Sequence, residues 1–146
     1  MVVLIYGQPA SGKTLLADKL VPHFGHNCVR IDGDYWREIT ENKDYSKEGR
    51  MRNLKGAFDM AIYLSKNGFL SLMSFVAPYQ ESRQYLSGKT KTIQIYLKYE
   101  GDRGRNGYFA KDFEEPESSD CLCIDTSENS VDECIKLILN YIETKK

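Results

Sequence analysis

Gly7, Gly12, Lys13 and Thr14 stand at the spacing G-x-x-x-x-G-K-[ST] within "GQPASGKT", and the chemistry of that pattern is the holding of a nucleoside triphosphate. The glycines let the loop of Gly7, Gln8, Pro9, Ala10, Ser11 and Gly12 wrap the β- and γ-phosphates with backbone amides, and the helix that follows adds the partial positive charge of its N-terminus. Lys13 then bridges the terminal phosphates, and the Thr14 hydroxyl joins the shell of a Mg2+ ion. A second cluster, "IDGDYWR", sets Asp32 and Asp34 two residues apart around Gly33, with Arg37 behind them. One carboxylate is expected beside the magnesium or its waters, and the other at an acceptor hydroxyl, which it orients or deprotonates. Arg37 would hold an anionic group on the acceptor. A blander reading makes the same stretch an aspartate turn with Asp34 as a helix cap.

These residues need elements to position them, and the apolar pattern supplies five strands: Val2 to Tyr6, Cys28 to Ile31, Phe69 to Val76, Thr92 to Leu97 and Cys121 to Asp125. Helical patterns alternate with them, which is the mark of an α/β fold with a mostly parallel sheet. Leu15, Leu16, Leu20 and Val21 recur at helical spacing directly after the phosphate loop, so the motif falls at a strand-to-helix junction. A second helix carries Leu54, Phe58, Ala61, Ile62 and Ser65 on one face and stops at Gly68. A short helix is expected at "QESRQYLSG". The last helix opens with a capping box, Ser130 with Glu133, and buries Val131, Cys134, Ile135, Ile138, Leu139 and Ile142.

In an open parallel sheet, ligands sit beyond the carboxyl ends of the strands. There "SFVAPYQESR" places Ala77 and Pro78 at a tight exit, the proline ending its strand. Arg50 and Asn53, three apart near the start of the second helix, would face the same cleft. The stretch from 98 to 119 is polar, glycine-punctuated and aperiodic, the profile of a functional loop or lid.

The totals restrict the alternatives. The chain has 146 residues, 41% hydrophobic and 28% charged, with a formal net charge of -1. That length fits a single domain over 1–146, and the charge argues against a nucleic-acid partner. The opening "MVVLIYG" lacks a basic flank and is too short for a signal peptide or a membrane span, so the expected location is the cytoplasm and no membrane partner is expected. The four cysteines, Cys28, Cys121, Cys123 and Cys134, show no Cys-x-x-Cys spacing and are expected reduced and largely buried. His23 and His26 flank a turn with no nearby carboxylate and read as surface residues.

Taken in order, "GxxxxGKT", "IDGDxxR", "YSxxxRxxN", "SFVAPY" and "FEEPESSDCLCIDT" resemble the adenylylsulfate (APS) kinase family over nearly the whole chain. Asp32, Gly33, Asp34 and Arg37 match the family's L-D-G-D-N-x-R, with Tyr35 in place of asparagine. Tyr45, Ser46, Arg50 and Asn53 match F-S-x-x-D-R-x-x-N, with Gly49 in place of aspartate. Ser74, Phe75, Val76, Pro78 and Tyr79 match S-F-I-S-P-[YFH], with Ala77 in place of the second serine. The family's basic lid, R-D-P-K-G-L-Y-K-K-A-R followed by N-F-T-G-I-D, is met only by "YEGDRGRNGYFAKDFEEP", with Arg103 and Arg105 as substitutes.

The resemblance implies a P-loop NTPase/kinase-like three-layer sandwich and transfer of the γ-phosphoryl of ATP, with Mg2+, to the 3'-hydroxyl of APS. Lys13, Asp32 and Asp34 would be catalytic, with Thr14 and Asp32 at the metal. Arg37, Arg50 and Asn53 would bind the sulfate and phosphate region of the acceptor together with Asp34. Tyr45 and Phe75 would flank its adenine, with Val76 and Ala77 alongside. Ala77 rules out a phosphoserine intermediate at that position, leaving direct transfer. Homodimers are common in the family.

Tyr35, Gly49 and the short lid also fit a kinase of a different small anionic or nucleotide-linked acceptor. A non-catalytic nucleotide-binding module or GTPase-like switch lacks the guanine-reading Asn-Lys-x-Asp pattern, and a polynucleotide kinase would need a basic track with stacking aromatics.

Overall fold

The computed structural model describes residues 1–99, 110–117, 119 and 121–146. Its five strands, β1 (Val2–Tyr6), β2 (Cys28–Asp32), β3 (Leu70–Phe75), β4 (Thr92–Lys98) and β5 (Leu122–Asp125), form one sheet in the order β2-β3-β1-β4-β5. Every pairing is parallel, so the sheet is wholly and not just mostly parallel. Parallel strands need crossovers, and helices occupy those from β1 to β4: α1 (Lys13–Leu20), α2 (Gly33–Thr40), α3 (Lys47–Lys66) and α4 (Gln80–Lys89), while α5 (Val131–Lys145) follows β5.

The central strand explains the layering. All five residues of β1 are fully buried, and their side chains alternate between two cores. Val2, Leu4 and Tyr6 pack with Leu54, Ala57, Phe58 and Ala61 of α3 and Leu86 of α4. Val3 and Ile5 pack on the other face with Leu16 and Leu20 of α1 and with Cys134, Ile138 and Ile142 of α5. A continuous apolar strand is what a sheet covered on both faces requires. Each large apolar side chain so buried contributes on the order of 2 kcal/mol.

Local signals fix the helix ends. Ser46 caps α3 by accepting from the Gly49 amide, and Ser130 and Glu133 form the expected capping box at α5. Gly68 follows α3 with φ 84, a conformation glycine adopts without steric cost. Helix α2 was visible in the sequence only as a capping alternative, and its cap is Asp32 rather than Asp34: the Asp32 side chain accepts from the Asp34 and Tyr35 amides. No α2 residue is buried, which is why apolar periodicity did not reveal it. Among the described residues no helix is long and apolar enough to cross a membrane.

The phosphate loop leaves the C-terminal end of β1, which is flanked by β3 and β4. The chain winds outward in opposite directions from this strand, and the crevice at such a switch point is where α/β sheets bind ligands.

Candidate active site

Close approach and backbone twist both demand glycine in the phosphate loop. A Cβ on Gly7 would meet the Leu97 carbonyl oxygen at 2.3 Å, and Gly12, the N-cap of α1, has φ 100. Three side chains secure the loop from outside or within. Lys13 Nζ donates to the Gln8 carbonyl at 2.9 Å, and Thr126 Oγ1 donates to the Ser11 carbonyl at 2.9 Å. The Gln8 amide group clasps Ala110 on both sides, Nε2 donating to its carbonyl at 2.8 Å and Oε1 accepting from its N–H at 3.0 Å.

Asp32 ends β2 beside this loop and gathers donors on both oxygens. Oδ1 accepts from Thr14 Oγ1 at 2.9 Å and Ser74 Oγ at 2.7 Å, with Arg30 Nη2 at 3.4 Å. Oδ2 accepts from the Asp34 and Tyr35 amides, both at 3.2 Å. Burial alone would raise its pKa, but the hydrogen bonds from Ser74, Thr14 and the Tyr35 amide, with the Arg30 charge, outweigh it and hold the carboxyl below the usual range. Asp32 is therefore an ionised acceptor at neutral pH. An ionised carboxylate next to a threonine hydroxyl is the hard-oxygen donor set that Mg2+ takes, so Thr14 and Asp32 fit the ion expected there.

Arg30 stands behind this group and was not singled out in the sequence. It donates to Ser74 Oγ at 2.8 Å and to Asp18 at 3.0 Å, and it also reaches the Ile31 and Leu72 carbonyls. The available signal was its place two residues before Asp32 in β2, hence on the same face.

Across the cleft, α2 and the start of α3 bring the cationic residues together. Arg37 lies over the Tyr45 ring at 4.1 Å from its centroid, and Arg50 lies 5.4 Å from the same centroid. Arg37 Nη1 donates to Asn42 and to the Asp44 carbonyl, and burial pushes its guanidinium pKa down. Arg50 donates through Nε to the Tyr45 carbonyl at 3.1 Å. Arg50 and Asn53 are both buried, and Asn53 Oδ1 has no hydrogen-bond partner among the described residues. A Cβ on Gly49 would fall 2.3 Å from both Asp44 Cγ and the Asp44 carbonyl oxygen. Asp44 thus fills the space into which a side chain at 49 would project.

The third wall is the exit of β3. Gly33 lacks the Cβ that would lie 3.2 Å from the Phe75 ring, so the ring sits close under the α2 start. Ala77 adopts φ 42, a left-handed conformation uncommon for a residue with a Cβ.

One cleft of about 280 Å³ joins these walls. It is lined by Pro9, Ala10, Gly12, Lys13 and Thr14 of the loop, by Asp32, Asp34 and Arg37, by Tyr45, Arg50 and Asn53, and by Phe75, Val76 and Ala77. Leu15, Gly33, Leu54, Ser74 and Pro78 complete the lining. Gly7, Gln8 and Ser11 shape the loop but do not face the cleft. Arg103 and Arg105 lie outside the described residues.

The family model described as adenylylsulphate kinase matches residues 1–106. The chain belongs to the adenylylsulphate kinase family. It is 28% identical to the adenylyl-sulfate kinase of Staphylococcus carnosus, an alignment covering 100% of this chain and 85% of the relative. It is 26% identical to the probable adenylyl-sulfate kinase of Aeropyrum pernix, covering 98% and 92%. Its fold superposes with TM-score 0.80 on the Mycobacterium tuberculosis APS kinase solved in complex with AMPPNP and APS, at 19% identity and covering 97% and 96% of the two chains. As a member of the adenylylsulphate kinase family the chain is a small-molecule kinase with the P-loop kinase fold.

Within that family the cysteines need one correction. All four are free, but Cys123 is exposed and Cys28 half-buried, and only Cys121 and Cys134 are buried as expected. Cys123 lies on the same face as Cys121, the two sulfurs 3.5 Å apart, and its place further along the edge strand β5 leaves it exposed.

Proposed function

We propose that this kinase transfers the γ-phosphoryl of ATP directly to the 3'-hydroxyl of adenylylsulfate. The observation that carries the reading is the continuity of one cleft from Lys13 and Thr14 to the Arg37, Tyr45 and Arg50 group. Phosphates would enter the loop, with Lys13 turning from the Gln8 carbonyl to the terminal phosphates. Thr14 and Asp32 would hold Mg2+, which when bound neutralises charge on the β- and γ-oxygens. Asp34, in the first turn of α2, would orient and deprotonate the acceptor hydroxyl. Arg37, Arg50 and Asn53 would take the sulfate and phosphate region, with Tyr45 and Phe75 about the adenine and Val76 and Ala77 beside it.

Ala77 offers no hydroxyl to carry a phosphate, which supports direct transfer. The assignment of one domain to 1–146, with a lid at 98–119, belongs to the same reading. A cytoplasmic location fits four free thiols. Family resemblance also suggests a homodimer, which sedimentation would separate from a 16.8 kDa monomer.

The test is ADP release from the purified protein with ATP, Mg2+ and APS, beside a control without APS. Turnover that depends on APS supports the reading. ATP binding without such turnover would overturn it and assign the cleft to another anionic acceptor.

A further inference from the structure

Arg83, in α4, is 2% exposed and heads the fully buried side chains by size. Among the described residues it makes no ion pair, although burying a guanidinium without a counter-charge is costly. Its charge is spent on two main-chain oxygens instead. Nη1 donates to the Ala77 carbonyl at 2.6 Å and Nη2 to the Glu114 carbonyl at 2.7 Å. The guanidinium lies over the Tyr6 ring, 4.7 Å from its centroid, and 6.0 Å from that of Phe113. The fork therefore rests on the last residue of β1 and reaches two segments far apart in sequence.

One of those segments is strained. Ala77 has φ 42, and a left-handed alanine persists only where its surroundings over-determine it. It lines the cleft together with Phe75, Val76 and Pro78. The other segment backs the first: the Glu114 amide donates to the Pro78 carbonyl at 2.7 Å, and the Glu114 carboxylate accepts from the Gln80 amide at 3.1 Å. A short charge-assisted bond to the carbonyl of the strained residue, from a donor that cannot move within its packed surroundings, is the contact best placed to hold that conformation.

We propose that Arg83 is a positioning residue for the acceptor: by fixing the Ala77 carbonyl it keeps the β3 exit, Phe75 to Pro78, in the shape that binds the second substrate. This rests on the acceptor reading given above. The arginine itself does not line the cleft, so its effect passes through the backbone at Ala77. Lysine can replace it only in part, because one ammonium on a flexible stem does not reproduce the planar fork that spans two carbonyls.

The experiment combines Arg83→Met with Ala77→Gly. Glycine adopts the left-handed conformation without the Cβ penalty, so a chain with Gly at 77 should no longer need the clamp. In the otherwise wild-type protein, Arg83→Met is expected to raise KM for APS by roughly tenfold or more while KM for ATP stays within about threefold. In the Ala77→Gly background the same change should raise KM for APS by no more than about threefold. An unchanged KM for APS in folded Arg83→Met, or the same rise in both backgrounds, would overturn the proposal, because a merely structural arginine would be indifferent to residue 77.

Where Arg83→Met fails to fold, Arg83→Lys takes its place, with a smaller rise expected and the same dependence on residue 77. Amide exchange supplies a readout that needs no acceptor. Either variant should speed exchange at Val76, Ala77 and Tyr79 relative to the β1 amides, and unchanged exchange there would sink the clamp. If the wild-type protein shows no turnover with APS, the acceptor reading fails, while the exchange result still decides whether Arg83 holds Ala77.

Discussion

Ser74 and Asp32 face each other across β3 and β2 as register partners, and the serine hydroxyl donates to Asp32 Oδ1 at 2.7 Å. The same oxygen takes the Thr14 hydroxyl at 2.9 Å, so the phosphate-loop helix, the β2 end and β3 meet at one carboxylate. Its pKa is lowered in the fold. The stabilisation it brings is complete above the unfolded value of about 3.9 and is lost as pH falls through the lower folded value. Asp32→Asn should cost about 1–3 kcal/mol at neutral pH. The deficit should shrink below about pH 4 as the native carboxyl protonates. Denaturant unfolding of both proteins across that range tests this, and a deficit that ignores pH would contradict it.

Asp34 separates catalysis from binding. It lines the cleft from the first turn of α2. Asp34→Ala should lower kcat by about a hundredfold or more, with ATP affinity within a few-fold of wild type. Isothermal titration beside steady-state rates resolves the two, and an equal loss in both would make Asp34 a nucleotide ligand.

Gly49 should reverse an ordinary rule. In a helix interior, alanine is favoured over glycine by about 1 kcal/mol. At Gly49 the added Cβ would meet Asp44 side-chain and backbone atoms at 2.3 Å, so Gly49→Ala should destabilise by about 1–3 kcal/mol through overpacking. Gly56 is the internal control on the same helix, since its nearest neighbour would be Trp36 at 3.5 Å, ordinary contact. Gly56→Ala should stabilise by about 0.5–1 kcal/mol. Urea unfolding of the pair gives opposite signs or disproves the steric account.

The thiols should label in order of exposure. Burial and the hydrogen bond with Cys123 push the Cys121 thiol up to about 12, and burial raises Cys134 as well. Cys123 is exposed. Iodoacetamide near pH 8, followed by peptide mass mapping, should modify Cys123 first and leave Cys121 and Cys134 until the protein unfolds. Early labelling of Cys121 would show that the β5 end opens in the native state.

Much of this architecture could be read ahead of the structure because its signals are local. Five apolar runs became five strands with ends displaced by a residue or so, and the Ser130 and Glu133 box opened its helix as expected. Helix α2 escaped because none of its residues is buried, so no apolar stripe marked it. The cleft residues were legible where a motif fixed their spacing, as at Lys13, Asp32, Arg50 and Phe75. The contacts of Arg30, Gln8 and Arg83 were not, for a common reason. Their partners lie far along the chain: Ser74 is 44 residues from Arg30, Ala110 is 102 from Gln8, and Glu114 is 31 from Arg83. Polar contacts at such range leave no period in the sequence, and only the fold brings them together.

The support that Thr126 gives to the Ser11 carbonyl spans 115 residues. The phosphate loop precedes two of its outer fastenings, Ala110 and Thr126, by 102 and 115 residues. A nascent chain therefore carries the complete loop sequence long before it carries the complete loop, and high-affinity capture of ATP becomes a report that synthesis has passed β5.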